Sequence, residues 1–84
     1  MQLGSRRAEI RSLVISPGYR TSVRLDVHFW EALQDIAKRR GLSVRDLVAE
    51  IDRDRDGYSR TEAIRVHILQ FYRTALSKVE TTEA

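Results

Sequence analysis

Residues 20–25 read RTSVRL, and polar and apolar side chains alternate along this stretch for the length of one short β-strand. Successive side chains of a strand point to opposite faces of the sheet. One face therefore holds Val23 and Leu25, and the other holds Arg20, Ser22 and Arg24. Two guanidinium groups and a hydroxyl on one face predict a surface that binds a polar partner. An isolated strand or lone hairpin is marginal in water, so we expect this strand to pair with its own copy in a second chain.

The size of the chain also favours a dimer. Its 84 residues make one domain, and a monomer of this size buries barely enough apolar surface to offset the entropy lost on folding. The absence of cysteine excludes disulfides and thiolate metal sites. No apolar run approaches the roughly 20 residues that span a bilayer, and the amino terminus lacks the apolar core of a signal peptide. We expect a soluble, cytoplasmic homodimer.

The positive charge is concentrated near the amino terminus. Residues 1–25 carry five arginines against one glutamate, whereas the rest of the chain carries ten basic and eleven acidic residues. This asymmetry indicates a nucleic acid or another polyanion as partner, with a solvated disordered tail as the simpler alternative. We expect residues 1–11 to form a flexible basic arm that contacts phosphates through Arg6, Arg7 and Arg11.

A second strand-like run precedes the alternating stretch. Residues 13–15 are leucine, valine and isoleucine, and Pro17 and Gly18 suit the central positions of a type II turn. A local hairpin of 12–16 with 20–25 is one possibility. Two-residue hairpin loops favour types I′ and II′, however, and an L-proline at the first central position fits neither. We therefore predict that 12–16 packs separately from the strand at 20–25, or with an offset.

Three helices are predicted after the strand. Asp26 is suited to cap a helix over 27–40, which ends in three basic residues before a glycine. Ser43 starts a capping-box pattern, so a second helix runs from 44 to about 54. A third covers 60 to about 77. Its apolar residues surround most of its circumference, so it needs more than one partner surface. The folded domain is predicted over residues 12–78, followed by a frayed tail over 79–84.

None of the patterns that indicate catalysis or a bound metal is evident. Residues 52–56 alternate aspartate and arginine as in the opening of an EF-hand loop, but the twelfth position of that loop falls on Ala63 instead of glutamate. We interpret this segment as a solvated turn between helices. His28 and His67 have no cysteine or second histidine at ligand spacing. The sequence predicts neither enzyme activity nor a cofactor nor a metal site.

Residues 36–47 allow a different mode of DNA binding. Ala37, Gly41 and Leu47 match the spacing of a helix-turn-helix, in which a glycine permits the tight turn and the second helix enters the major groove. The next apolar position of that pattern falls on Glu50, which weakens the match. Groove entry by the second helix stays an alternative.

Four segments taken together resemble the ribbon-helix-helix superfamily: RTSVRL at 20–25, FWEAL at 29–33, GLS at 41–43 and LVAEID at 47–52. The chain is most similar to the small bacterial branch with an extended C-terminal helix, and the resemblance covers about 11–76. It implies a mainly helical protein with a short N-terminal β element. In such an intertwined homodimer, two chains pair their strands into an antiparallel intermolecular ribbon that lies in the DNA major groove.

The resemblance also implies site residues. The base-reading positions fall on the outward residues of the strand, Arg20, Ser22 and Arg24. The phosphate clamp falls on the amino end of the second helix, at Ser43, Val44 and Arg45, where free N–H groups attract an anion. By composition the clamp helix could instead begin at Ser59, but its spacing from the strand favours Ser43. The implied dimer core comprises Val23, Leu25, Trp30, Leu33, Ile36, Leu47, Ile51, Ile64 and Ile68.

We therefore predict a homodimeric, sequence-specific DNA-binding protein, either a transcriptional repressor or an antitoxin-like autoregulator. The alternative hypothesis, from a different functional class, is that the chain is a protein-interaction module. In that reading the third helix, with Phe71 and Tyr72, docks a protein partner and the basic arm is incidental.

Overall fold

A two-stranded antiparallel sheet and three helices make up the computed structural model, which describes residues 7–83 and the side chains of residues 7–79. The elements follow in the order β1 (Ala8–Ser16), β2 (Tyr19–Asp26), α1 (Val27–Arg40), α2 (Val44–Arg53) and α3 (Arg60–Glu83). The predicted class, mainly helical with an N-terminal β element and a third helix, is confirmed. None of the described helices combines the length and apolarity needed to cross a bilayer.

The first strand pairs with the second inside one chain. The ladder runs from Ala8 opposite Asp26 to Ser16 opposite Tyr19. The expectation that 12–16 packs separately is therefore wrong. The register is irregular between Val14 and Ser16, and a bulge of this kind adds local twist to a hairpin. Pro17 followed by Gly18 at φ 76° is the pattern of a type II turn. We attribute the joining of the two strands by this turn to the twist that the bulge adds.

This pairing changes two further expectations. The two-stranded ribbon forms within one protomer, so β2 does not depend on a second chain for its partner strand. Residues 8–11 belong to β1, which shortens the predicted arm. Its first six residues, Arg6 among them, lie outside the described residues.

The first two helices have the predicted bounds and caps. The Oδ1 atom of Asp26 accepts a hydrogen bond from the backbone N–H of His28 at 2.8 Å, and Gly41 adopts the left-handed conformation at φ 71°. The Oγ atom of Ser43 accepts from the N–H of Asp46 at 3.0 Å. These caps satisfy backbone groups that a helix end leaves free.

The third helix is longer than predicted. It begins at Arg60, where the Oγ atom of Ser59 accepts from the N–H of Glu62 at 3.2 Å. It then continues to Glu83, so a frayed tail over 79–84 is wrong for all but the last residue, which is not described. Residues 78–83 contain no glycine or proline, the residues that most strongly end a helix.

All residues predicted to form the dimer core are buried inside a single protomer. The buried apolar side chains, including Trp30, Leu33 and Ile64, are at most 6 % exposed. They come from β2 and all three helices, and Trp30 Nε1 also donates to the carbonyl oxygen of Glu9 at 3.0 Å. The intramolecular hairpin and α3 supply the cover that we expected from a second chain, so this core belongs to the protomer.

Candidate nucleic-acid interface

The outer face of the hairpin points away from the helices. In β2 the alternation is as predicted, because Val23 and Leu25 are buried while the residues between and before them are exposed. Residues opposite each other in an antiparallel pair share a face, so β1 contributes as many outward positions as β2. The outer face consists of the pairs Ile10 and Arg24, Ser12 and Ser22, and Val14 and Arg20, together with Ala8 and Asp26 at the end next to α1.

The two arginines of this face differ in their surroundings. Arg20 Nη1 donates to Ser12 Oγ at 3.3 Å, which holds the guanidinium across the hairpin. Arg24 is exposed and has no hydrogen bond, ion pair or ring contact among the described residues. Ser22 lies between them, exposed as well. The three predicted base-reading residues are thus together on one surface, and Arg24 is available for an external acceptor.

The other predicted arginines lie elsewhere. Arg11 is opposite Val23 on the inner face, with its guanidinium 4.7 Å from the centre of the Trp30 ring and 2.9 Å from a carboxylate oxygen of Glu9. Arg7 is exposed beside the start of α1, and its carbonyl oxygen accepts from the N–H of Val27 at 2.9 Å. Arg11 therefore contributes to packing, whereas Arg7 keeps a solvated charge.

The amino end of α2 lies near the turn of the hairpin. A shallow groove there is lined by β1 and turn residues on one side and by Arg45 and Asp46 on the other. Val44 is half-buried and Arg45 is exposed, with Arg45 Nε 3.7 Å from Asp46 Oδ1. The first N–H groups of a helix lack intrahelical partners, so this end presents donors close to the hairpin.

Arg60 joins the helices to the hairpin, a role that its sequence position does not reveal. Its Nε donates to Asp52 Oδ1 at 2.7 Å, Nη1 to Thr21 Oγ1 at 2.8 Å and Nη2 to the hydroxyl of Tyr19 at 3.2 Å. The hydrogen bond with Asp52 raises the pKa of the Arg60 guanidinium. Asp52, interpreted above as part of a solvated turn, is thus the anchor of this cluster.

A second ion pair joins α1 to α2. Arg40 donates from Nη1 and Nη2 to the two carboxylate oxygens of Glu50 at 2.7 and 3.1 Å, and these hydrogen bonds lower the pKa of Glu50. The position where a helix-turn-helix would have an apolar residue is therefore filled by an ion-paired glutamate. The ion pairs Arg60–Asp52 and Arg40–Glu50 each join two helices, and the sequence pattern predicted neither contact.

Comparison with known proteins gives one match. A family model described as a ribbon-helix-helix domain matches residues 8–72, from the first strand into α3. No curated protein and no solved structure matches the chain.

Proposed function

Because the chain belongs to the ribbon-helix-helix domain family, a family of DNA-binding regulators, we propose that it binds specific double-stranded DNA sequences through the outer face of its hairpin. The observation that carries the proposal is the exposed row of Arg20, Ser22 and Arg24. A two-stranded ribbon fits the major groove, where each base pair presents a distinct pattern of donors and acceptors. Bound at a promoter, the protein acts by occupancy, as a repressor or an antitoxin-like autoregulator in the bacterial cytoplasm.

Arg24 is the principal base reader in this proposal. A guanidinium forms a bidentate pair with O6 and N7 of guanine, and such a pair discriminates against the wrong base by roughly 1–3 kcal/mol. Arg20 reads a second guanine from the other end of the row, while Ser22 makes a shorter and less selective contact. The hydrogen bond from Arg20 to Ser12 supports this role. It restricts the Arg20 side chain before DNA binds, so less conformational entropy is lost on binding.

Phosphates are bound beside the groove. The amino end of α2, with Ser43, Val44 and Arg45, offers N–H donors and a cation, and Arg7 adds a solvated charge at the other end of the hairpin. Arg6 belongs to the same proposed group. Arg11 is left out, because its guanidinium already contacts Trp30 and Glu9.

We also propose that two protomers bind together, since the family typically binds DNA as dimers. An exposed apolar stripe on α3 supports association. Its members recur every three or four residues and are 39–58 % exposed: Leu69, Tyr72, Leu76 and Val79. The same stripe is the specific observation in favour of the second candidate function, docking of a protein partner on α3.

Groove entry by α2 is less well supported than binding by the hairpin. The exposed charges of α2 and its C-cap have mixed signs, because Arg45 is followed by Asp46 and Arg53 by the capping residue Asp54. On the outer face of the hairpin, two arginines accompany a single carboxylate, that of Asp26, which is engaged as the cap of α1. Since a phosphate-lined groove repels carboxylates, the hairpin is the more favourable surface.

Selection from a pool of random duplexes, followed by anisotropy titrations at two salt concentrations, tests the proposal. We expect one enriched sequence and, for about six neutralised phosphates, a slope of log K against log salt near −5. Arg24→Ala should weaken binding to the selected duplex by about tenfold or more. Arg73→Ala, which removes an exposed arginine of α3, should leave it almost unchanged. Equal losses in both variants, or a slope near zero, would contradict binding by the outer face.

A further inference from the structure

The outer face carries one apolar side chain that the DNA contacts proposed so far leave unused. Ile10 is 65 % exposed, more than any other large apolar side chain that the structure describes. It lies directly across the ladder from Arg24. Single exposed apolar residues are common on proteins, but this one lies beside Arg24 on the surface proposed to bind DNA.

The position of Ile10 fixes what it can reach. Side chains opposite each other in an antiparallel pair have Cβ atoms about 5 Å apart and project from the same face. Adjacent bases of one DNA strand are separated by about 3.4 Å along the axis. With Arg24 on a guanine, the side chain of Ile10 therefore faces the same base pair or one next to it.

The major groove offers a branched apolar side chain one matching group, the C5-methyl of thymine. Resting on the proposed function, we propose that Ile10 contacts a thymine methyl beside the guanine read by Arg24, and so contributes to sequence specificity. Val14, the other apolar residue of the outer face, is half-buried and lies opposite Arg20. It is less able to reach a base.

The hairpin as a whole is then an asymmetric reader. Its two strands come from one chain and differ in sequence, so the face presents isoleucine and arginine at one end and valine and arginine at the other. The three cross-strand pairs span about 14 Å along the strands, which corresponds to about four base pairs. Each protomer reads a short non-palindromic element that contains a guanine with a thymine close to it.

Replacement of thymine by deoxyuridine removes the methyl group and nothing else, which makes a direct test. In the selected duplex each thymine is replaced in turn, and dissociation constants are measured for the wild type, Ile10→Ala and Ile10→Thr. The threonine variant keeps a β-branched residue in the strand. Tyr58→Ala removes an exposed large side chain from the loop between α2 and α3, away from the outer face and from the α3 stripe, and serves as the control.

We expect one replacement, close to the guanine on which Arg24 depends, to weaken wild-type binding by about fourfold, the value of one buried methyl group. Both Ile10 variants should bind the unmodified duplex more weakly and respond less to this replacement. The loss of sensitivity should be smaller in Ile10→Thr, because threonine keeps one methyl group that can contact thymine, while Tyr58→Ala should respond as the wild type does. Selective binding that the Ile10 variants retain in full, with the same response to deoxyuridine, would overturn this inference alone. A wild type that selects no sequence would overturn the proposed function and, with it, the role of Ile10.

Discussion

Arg60 Nη1 donates a hydrogen bond to Thr21 Oγ1 at 2.8 Å, which joins the first turn of α3 to the inner face of β2. The two residues are 39 positions apart in the chain. The same guanidinium binds Asp52 at the end of α2, and the Arg60 side chain is only 19 % exposed. The helices α2 and α3 therefore hold the hairpin in place through one side chain, and the opposite face of the hairpin is the one proposed to bind DNA.

We predict that Arg60→Ala lowers the free energy of unfolding by about 2 kcal/mol, because it removes three hydrogen bonds and leaves Asp52 poorly paired. Arg60→Lys should recover part of the loss, since an ammonium cannot reach three acceptors in the geometry of a guanidinium. Urea denaturation measures both. Arg73→Ala, at an exposed position of the same helix, should change stability by less than about 0.5 kcal/mol, and a loss as large as that of Arg60→Ala would contradict the prediction.

The turn of the hairpin should be sensitive to backbone conformation alone. A Cβ atom at Gly18 would meet no atom within 4 Å, but the residue has φ of +76°. Gly18→Ala should therefore destabilise the protein by about 1 kcal/mol. Gly18→Asn should cost less, because asparagine tolerates the left-handed region. Thermal unfolding followed by circular dichroism separates the two, and an equal cost in both variants would mean that the backbone conformation is not the cause.

Acid should weaken the contact between α1 and α2. Hydrogen bonds from Arg40 lower the pKa of Glu50 below its usual value of 4.5. A carboxylate with a depressed folded-state pKa stabilises the protein fully above the unfolded-state pKa, and this stabilisation is lost as the pH falls through the folded-state value. For a partly exposed pair we expect a contribution of about 0.5–1 kcal/mol.

Glu50→Gln should accordingly lower stability at pH 7 and reduce the part of the stability that is lost between about pH 5 and pH 3. Urea midpoints measured across this range give the comparison. Glu31→Gln, at an exposed glutamate of α1, is the matched control and should keep the wild-type pH dependence. An unchanged pH profile in Glu50→Gln would show that the pair adds nothing to folding.

The apolar stripe of α3 should govern association and leave the protomer stable. Leu69 and Leu76 are 56 % and 58 % exposed, so their replacement by alanine removes little buried surface within one chain. The double variant should change the free energy of unfolding of the protomer by less than about 1 kcal/mol. Its self-association, measured by sedimentation velocity without DNA, should weaken at least tenfold. Unchanged association would move the proposed dimer contact elsewhere.

The elements that the sequence predicted correctly depend on neighbouring residues. Alternation fixes the outward row of β2, and the caps at Asp26 and Ser43 bind N–H groups two or three residues away. The hairpin was missed because its register depends on a single irregularity near Ile15, which leaves no periodic signal. The cluster around Arg60 was not predicted, because it brings together residues up to 41 positions apart. The local patterns of a single sequence do not indicate which distant residues are in contact.

Trp30 is the single tryptophan of the chain and lies at the joint between the hairpin and α1. Its indole N–H is bound to the carbonyl of Glu9 and its ring is covered by Arg11. The protein thus carries an internal fluorophore at the base of the hairpin. Detachment of β1 from α1 would expose the indole to water and shift its emission, even where the helices stay folded. Fluorescence and far-ultraviolet dichroism recorded on one sample can therefore distinguish local opening of the ribbon from global unfolding.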